Sequence, residues 1–477
     1  MYDVIVIGSG ATGAWAARCL AHPGRRVLVV EAGPDVGPEA LARLLRLEDP
    51  PGDLPEQHRQ SLLPGFVPAV APFLVDDTLH PYTTSGSGDY IWFRSRQLGG
   101  RTSLWGGVTP RLSDGDFAGW PFTGEDLAPH YDIVEAAMGV DKDQPPTAAE
   151  QALGVAFAER IPGAQVRPRP GVASRPARPD GSGVLWPASA SPALFLRDAL
   201  RSGVELRTDC IVESLALEGE NVVGIHVVDR LTHQRSTVRA GGVVLCASSI
   251  ESSRILLNSR NADHPAGVGN STDHLGRHLR DHVAVTFLGT TRGFTGPETR
   301  SPRGGPFGVY LSIPDRGYQV EGWAQRGPAR PDQPARFGLA VSAAMSGDSG
   351  NRVTLHPELV DAWGIPIVDI SFSFGVEDFA LIRRAEDDVH QVCAAVGFEI
   401  TEVDRHYERV LSYVHEVGTA RMGVTARESV TDPWNRVWDA PNVLVLDGAC
   451  WPTNPYPNPT LTMLAIASRA CAAYGSS

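Results

Sequence analysis

Residues 2–13 read YDVIVIGSGATG, and the architecture of the chain follows from them. YDVIVI is a short apolar run of the kind found in parallel strands buried on both faces. GSGATG follows it directly, and the segment Ala14–Ala21 reads as a helix. RRVLVVEAG (25–33) supplies a second strand that ends at Glu31. The pattern is strand, glycine turn, helix, strand. In that context Gly8 permits a tight turn, Gly10 lets backbone approach a pyrophosphate, and Gly13 allows close helix–strand packing. The helix N-terminus then faces the phosphates. Glu31 lies 31 − 13 = 18 residues beyond Gly13, close to the ~20 expected of an acid that holds ribose hydroxyls. A carboxylate there would repel a 2′-phosphate, so NADP is disfavoured. The residues alone leave FAD and NAD open.

Outward from this site, VELRT (204–208), IVESLAL (211–217) and VVGIHVV (222–228) read as short strands. They lead into GGVVLCASSIESSRILLNS (241–259), a second strand–turn–helix. Residues 48–92 are rich in Pro, Gly and polar residues, long for a structureless loop, and read as a lid or substrate loop. Residues 283–405 change character, with alternating patterns and aromatic-bearing strands. The expected class is therefore α/β. A Rossmann-like nucleotide domain is built from 1–282 and 406–477, and a sheet-based substrate domain spans 283–405.

Composition narrows the function. The 477 residues carry a net charge of −13, which argues against a nucleic-acid partner, since phosphate binding needs a basic surface. No apolar run reaches the ~20 residues that span a bilayer. The first strand begins at Tyr2, so no signal peptide is expected, and the reading is cytoplasmic. Cys19, Cys210, Cys246, Cys393, Cys450 and Cys471 form no CxxC pair and read as free thiols.

The chain resembles the glucose–methanol–choline (GMC) oxidoreductases in pieces that cover nearly its whole length. GSGATG with Glu31 is similar to the family's cofactor-binding opening. LGGRTSLWGG (98–107) and VVLCASSIESSRILLNS (243–259) are similar to its two signatures. WPFTGEDLAPHYDIVEAAMGV (120–140) and GVGNSTDHLGRHLRDH (267–282) match further segments. The tail from His415 to Thr462 is closest to the pyranose-oxidase-like branch. The resemblance implies FAD, with Gly8, Gly10, Gly13 and Glu31 on its ADP half and the backbone of Val212 near the adenine. It implies Gly99, Gly100, Ser103 and Gly106 beside the flavin, and Asp447 and Gly448 along the ribityl–phosphate part. Asn458, Pro459 and Thr460 would lie at the pyrimidine edge. Pyranose oxidases attach the flavin through a histidine, but Leu104 stands in the equivalent place here. A leucine cannot form that bond, so non-covalent FAD is expected. Trp105 replaces an asparagine found in many members.

The resemblance also assigns the chemistry. Alcohol oxidation needs the hydroxyl proton removed while hydride leaves carbon, and a neutral imidazole suits the first task. His415, at the head of HEVGTARMG, matches the family's catalytic histidine. Asn458, 458 − 415 = 43 residues on, matches its partner, an amide able to hydrogen-bond the same oxygen. Asn458 also reads as a helix N-cap with Pro459 at the first helical position. The positive end of that helix would support reduced flavin. Arg96 and Arg101 read equally as phosphate contacts or as surface charges. Two further patterns are set aside. His274, His278 and His282 recur at helical spacing, but no carboxylate or cysteine shell completes a metal site. Gly347-Asp348-Ser349-Gly350 imitates a serine-hydrolase tetrapeptide without a triad context.

The expected function is FAD-dependent oxidation of a small-molecule alcohol, a sugar, glycoside or amino-sugar hydroxyl, with O2 or another electron acceptor as reoxidant. A natural-product amino sugar is one subcase. Aliphatic or sterol alcohol oxidation, favoured by a strongly apolar pocket, and a non-redox lyase or isomerase of the same fold are the alternatives.

Overall fold

The computed structural model describes residues 1–36, 59–63, 68–86, 89–172, 191–296, 308–326, 332–409 and 411–475. Its first layer is an eight-stranded sheet. The strands run Arg436–Val437, Ala440–Val445, Arg235–Leu245, Tyr2–Ile7, Val27–Val30 and Glu205–Arg207 in spatial order, with the strands Cys210–Glu218 and Asn221–Asp229 alongside. The four pairings from Ala440–Val445 across to Glu205–Arg207 are parallel. Val4–Ile7 and Val27–Val30 are buried throughout, as strands covered on both faces must be. Strand Tyr2–Ile7 lies between Val27–Val30 and Arg235–Leu245. The chain therefore reverses its direction of travel across the sheet at the carboxyl end of Tyr2–Ile7. Open parallel sheets bind ligands at that kind of switch point, and GSGATG sits there.

The second layer is a six-stranded antiparallel sheet, in order Phe398–Arg405, Val283–Thr295, Pro334–Ala343, Tyr318–Ala324, Val309–Ile313 and Gln165–Pro168. The last strand comes from outside 283–405. Strand Thr83–Gly86 likewise leaves the 48–92 region to pair with Pro366–Phe372. Within 48–92, residues 48–58, 64–67 and 87–88 lie outside the described residues. The remainder holds short helical turns at Arg59–Leu62 and Pro68–Phe73 rather than being structureless throughout.

Register gives the six-stranded sheet two unlike faces, because side chains alternate along a strand. One face carries Val285, Val341, Val320 and Leu311 in one cross-strand row. It packs on the helices Ala148–Arg160 and Val376–Ala395 through Leu153, Phe157, Ile382 and Val389. The opposite face carries the row Gln165, Ser312, Gln319, Ser342, Ala284 and the row Arg167, Tyr310, Glu321, Ala340, Thr286, Asp404. That polar face is directed at the segment Asn454–Asn458. Ser312 Oγ pairs with Tyr456 Oη at 2.8 Å, and Ser342 Oγ donates to the Tyr456 carbonyl at 3.3 Å.

Candidate active site

In the turn GSGATG, backbone packing requires glycine at Gly8 and Gly13. Gly8 has φ +94°, and a Cβ there would stand 2.4 Å from the Cys246 carbonyl oxygen. A Cβ on Gly13 would stand 1.9 Å from the Gly8 carbonyl oxygen, so strand and helix are in backbone contact. Gly10, Gly100 and Gly106 are different. A Cβ on them would meet nothing nearer than 4.0, 3.5 and 3.9 Å, which leaves an open cradle. The helix Ala11–Leu20 begins at Gly10 with no side-chain cap, so its first N–H groups are available to an anion. Glu31 is buried at the end of its strand. Its Oε2 accepts from Ser9 N and Oγ at 3.1 and 2.5 Å, and its Oε1 accepts from Gly33 N at 2.9 Å. Burial pushes its carboxyl up from the ordinary value, against these bonds. Open space, free helix N–H groups and a buried acid together fit the ADP half of a dinucleotide.

The turn Gly99–Ser103 is tied to this loop, since Gly99 N donates to Ser9 Oγ at 3.0 Å. Gly99 and Gly100 have φ +89° and +53°, conformations that favour glycine. Leu104 is fully buried among Leu63, Val70, Phe73, Ile91 and Phe93. Val212 lies two residues past Cys210, whose N–H donates to the Glu31 carbonyl at 3.0 Å. The Val212 carbonyl already accepts from Arg254 at 2.5 Å. Asp447 is buried, accepts from Ser252 Oγ at 2.5 Å and Ala449 N at 2.9 Å, and is pushed up to about 6 by burial. Gly448 packs where a Cβ would stand 2.6 Å from the Glu416 carbonyl.

Arg96 and Arg101 are not surface charges. Arg96 donates to the His80 ring and reaches Glu251 at 3.3 Å. Arg101 pairs with Glu416 at 2.6 Å and donates to the Val414 carbonyl at 3.1 Å. The Glu416 side chain is 0% exposed, so Arg101 compensates a charge with no access to water. Val414, immediately before His415, has φ +62°, a genuine outlier for a β-branched residue. Asp281 holds the same turn. Its Oδ1 accepts from His282 N and His415 N at 2.7 and 3.0 Å, and its Oδ2 from Tyr413 N at 2.9 Å.

His415 keeps part of its surface accessible, although enough protein surrounds it that burial holds its pKa well below the ordinary histidine value. The neighbouring His282 ring and the Arg101 charge act in the same direction. It is therefore neutral at pH 7 and able to take a proton. Asn458 is also buried, but not as the expected N-cap. The helix is Thr460–Gly475, with Met463 N donating to the Pro459 carbonyl at 3.0 Å. The Asn458 Oδ1 instead accepts from Gln319 Nε2 at 2.9 Å, and Gln319 Oε1 accepts from Tyr310 Oη. This leaves the Asn458 NH2 group as the donor it can offer. His415 and Asn458 converge on one segment, because His282 contacts His415 and also the Pro455 carbonyl at 2.9 Å.

The residue pattern does not single out Gln319, and it places His282 only within the set-aside histidine repeat. Residues 274–282 are not helical, so His274, His278 and His282 do not share a helix face. Among the described residues no group of three His, Cys, Asp or Glu is placed to hold a metal, and no helix is long and apolar enough to cross a membrane. The six cysteines are free thiols. Nothing in the local sequence marks Gln319; its alternation within Tyr318–Ala324 is the only signal, and it does not say which face meets the site.

Two models of the GMC oxidoreductase family match the chain, the N-terminal one over residues 2–284 and the C-terminal one over 347–467. A 2-methyl-1,2-propanediol dehydrogenase of Mycolicibacterium austroafricanum is 27% identical, aligned over 98% of this chain and 94% of the relative. A paromamine 6'-oxidase of Streptomyces fradiae is 28% identical over 99% and 91%. The crystal structure of pyridoxine 4-oxidase from Mesorbium loti superposes with a TM-score of 0.71 and 19% identity, covering 100% of both chains.

Proposed function

The chain belongs to the GMC oxidoreductase family, and from that premise we propose that this enzyme, which oxidises a hydroxyl to a carbonyl, acts on a polyhydroxylated substrate of the sugar or amino-sugar type with non-covalent FAD. FAD, when bound, supplies the acceptor for the hydride that leaves the carbinol carbon. The protein's own residues do the rest. His415, neutral because it is buried, takes the hydroxyl proton. Asn458, its carbonyl oxygen engaged by Gln319, offers N–H to the same oxygen. Gly8, Gly10, Gly13 and Glu31 hold the ADP half. Gly99, Gly100, Ser103, Gly106, Asp447, Gly448, Pro459 and Thr460 line the remainder. Leu104, which has no nucleophile and lies in an apolar cluster, supports non-covalent attachment.

The observation that carries the substrate class is the polar face of the six-stranded sheet. Tyr310, Ser312, Gln319, Glu321, Ser342 and Thr286 stand on that face in two adjacent rows. Glu321 is buried and paired with Arg169 at 3.0 Å. Tyr413 lies edge-on to His415, with ring centroids 5.5 Å apart, and burial, with Glu321 in support, raises its phenol pKa. The groups of the two rows already have partners inside the protein, among them Asn458, Tyr456, Arg169 and His406, so the wall they build is polar and lacks the continuous apolar surface that a sterol or long aliphatic alcohol needs. A polar wall of this kind suits polyols and amino sugars. The diol and aminoglycoside substrates in the relatives' names agree with this reading, and the soluble character of such substrates suits a cytoplasmic enzyme using O2 or another acceptor.

The test is anaerobic reduction of the bound flavin by a panel of sugars, amino sugars, aliphatic alcohols and a sterol. Bleaching by a polyol or amino sugar in preference to the others is expected. Preferential bleaching by the apolar alcohols overturns the substrate class. Flavin released into the supernatant on acid precipitation is expected, and flavin kept in the pellet overturns the Leu104 argument.

A further inference from the structure

We propose that His282 is a positioning residue that holds neutral His415 in the tautomer with its proton on Nδ1, so that the lone pair awaiting the substrate hydroxyl proton is on Nε2. The proposal rests on the reading of His415 as the base.

The argument is one of donors and acceptors. His282 Nε2 lies 2.9 Å from the Pro455 carbonyl oxygen. A carbonyl only accepts, so this nitrogen carries the proton. A neutral imidazole has one N–H, and burial holds His282 neutral, with its pKa pushed down to about 4. Its Nδ1 is therefore an acceptor. That Nδ1 stands 2.9 Å from His415 Nδ1, and two acceptors would repel at this distance. His415 must donate from Nδ1, which leaves Nε2 unprotonated. The rings cross at 79° with centroids 4.9 Å apart, an in-plane approach of one nitrogen to the other rather than a stack.

The same bond serves both protonation states. When Nε2 takes the hydroxyl proton, His415 becomes an imidazolium that still donates from Nδ1 to His282, now in a charge-assisted bond. The proton comes from the substrate O–H, the hydride leaves the same carbon for the bound flavin, and the carbonyl closes from the remaining pair. His282 neither gains nor loses a proton. Asp281 makes the arrangement rigid by accepting from the backbone N–H of both histidines. The charged or titratable neighbours of His415 are Asp281, Arg101, Glu416 and Tyr413, and none competes for its Nδ1 proton in the structure.

The experiment compares His282→Asn with His282→Leu. Asparagine places an acceptor oxygen near the former Nδ1, whereas leucine offers none. In flavin-loaded protein, the limiting rate of anaerobic flavin reduction should fall at least ~10-fold in His282→Leu and remain within about fivefold of wild type in His282→Asn. Substrate Kd should be little changed in both. The second readout needs no turnover. In histidine-labelled 15N spectra, assigned by loss of the signal in His415→Ala, His415 Nε2 should resonate as an unprotonated nitrogen in the wild type and in His282→Asn. In His282→Leu the Nε2 signal should move toward the protonated position. A protonated Nε2 in the wild type, or a wild-type reduction rate in His282→Leu, overturns the proposal. If His282→Leu does not fold, the wild-type spectrum and the Asn variant still decide. An unslowed His415→Ala would overturn the base assignment instead, a result distinct from either.

Discussion

Gln319→Leu separates Asn458 from the group that orients it. The wild-type amide of Gln319 donates to Asn458 Oδ1 at 2.9 Å and accepts from Tyr310 Oη. Gln319 is fully buried and Asn458 is 9% exposed, so water does not readily replace either bond. A net hydrogen bond of this kind contributes about 0.5–1.5 kcal/mol. That energy biases the Asn458 amide toward the orientation with NH2 facing the reaction space. Without it the flipped orientation, which turns a carbonyl oxygen toward the substrate oxygen, gains on the productive one by that same energy, about 0.5–1.5 kcal/mol. The productive population and its transition-state bond are both eroded, by about 3–10-fold at 1.4 kcal/mol per decade. Tyr310 Oη loses its acceptor as well, which costs about 1–3 kcal/mol of stability. Gln319→Glu is harsher. It replaces the donor by an acceptor, forces the Asn458 NH2 inward, and should approach the ~10²-fold loss expected of Asn458→Ala. The assay is stopped-flow anaerobic flavin reduction, with the limiting rate and substrate Kd separated by titration. The decisive arm is the Asn458→Ala background, where Gln319→Leu should change the limiting rate by less than about twofold, because its effect passes through Asn458. A rate within twofold of wild type for Gln319→Leu alone, or full additivity in the double variant, shows that Gln319 does not orient Asn458.

Arg101→Leu should lower unfolding free energy by about 3–5 kcal/mol, since it leaves the fully buried Glu416 carboxylate uncompensated. Adding Glu416→Leu should restore most of it, as read by urea denaturation, and a loss under about 1 kcal/mol in the single variant contradicts the assignment. Flavin reduction should rise with pH and reach its plateau by about pH 7, because burial holds His415 below the ordinary histidine value and the active form is the deprotonated one. A rate still climbing above pH 8 points to a different base.

The parts of the site legible from residues are those whose chemistry is local. A phosphate-binding turn needs glycine at fixed offsets because backbone must touch backbone. Gly8 and Gly13 show that contact directly, and Glu31 follows at the end of the next strand. The reading of Asn458 as a helix cap failed for the opposite reason. N-capping is a local preference, and a tertiary partner, Gln319, took the side-chain oxygen instead. His282 shows the same limit. Its spacing from His274 and His278 suggested a helix face, yet the chain there is irregular and His278 has φ +62°.

The order of the residues alone carries the α/β nucleotide-binding opening, the glycines and acid proposed to cradle a dinucleotide, the family, and His415 as the candidate base. These rest on contiguous patterns in which a few neighbours satisfy one physical requirement. What orients those residues emerges on folding. His282 reaches His415 across 133 positions, Gln319 reaches Asn458 across 139, and Arg101 reaches Glu416 across 315. Hydrogen-bond direction, tautomer and charge compensation belong to pairs of buried groups. Such pairs exist only once distant segments meet, as when strand register sets the polar face of the second sheet, with Gln319, against the segment Asn454–Asn458.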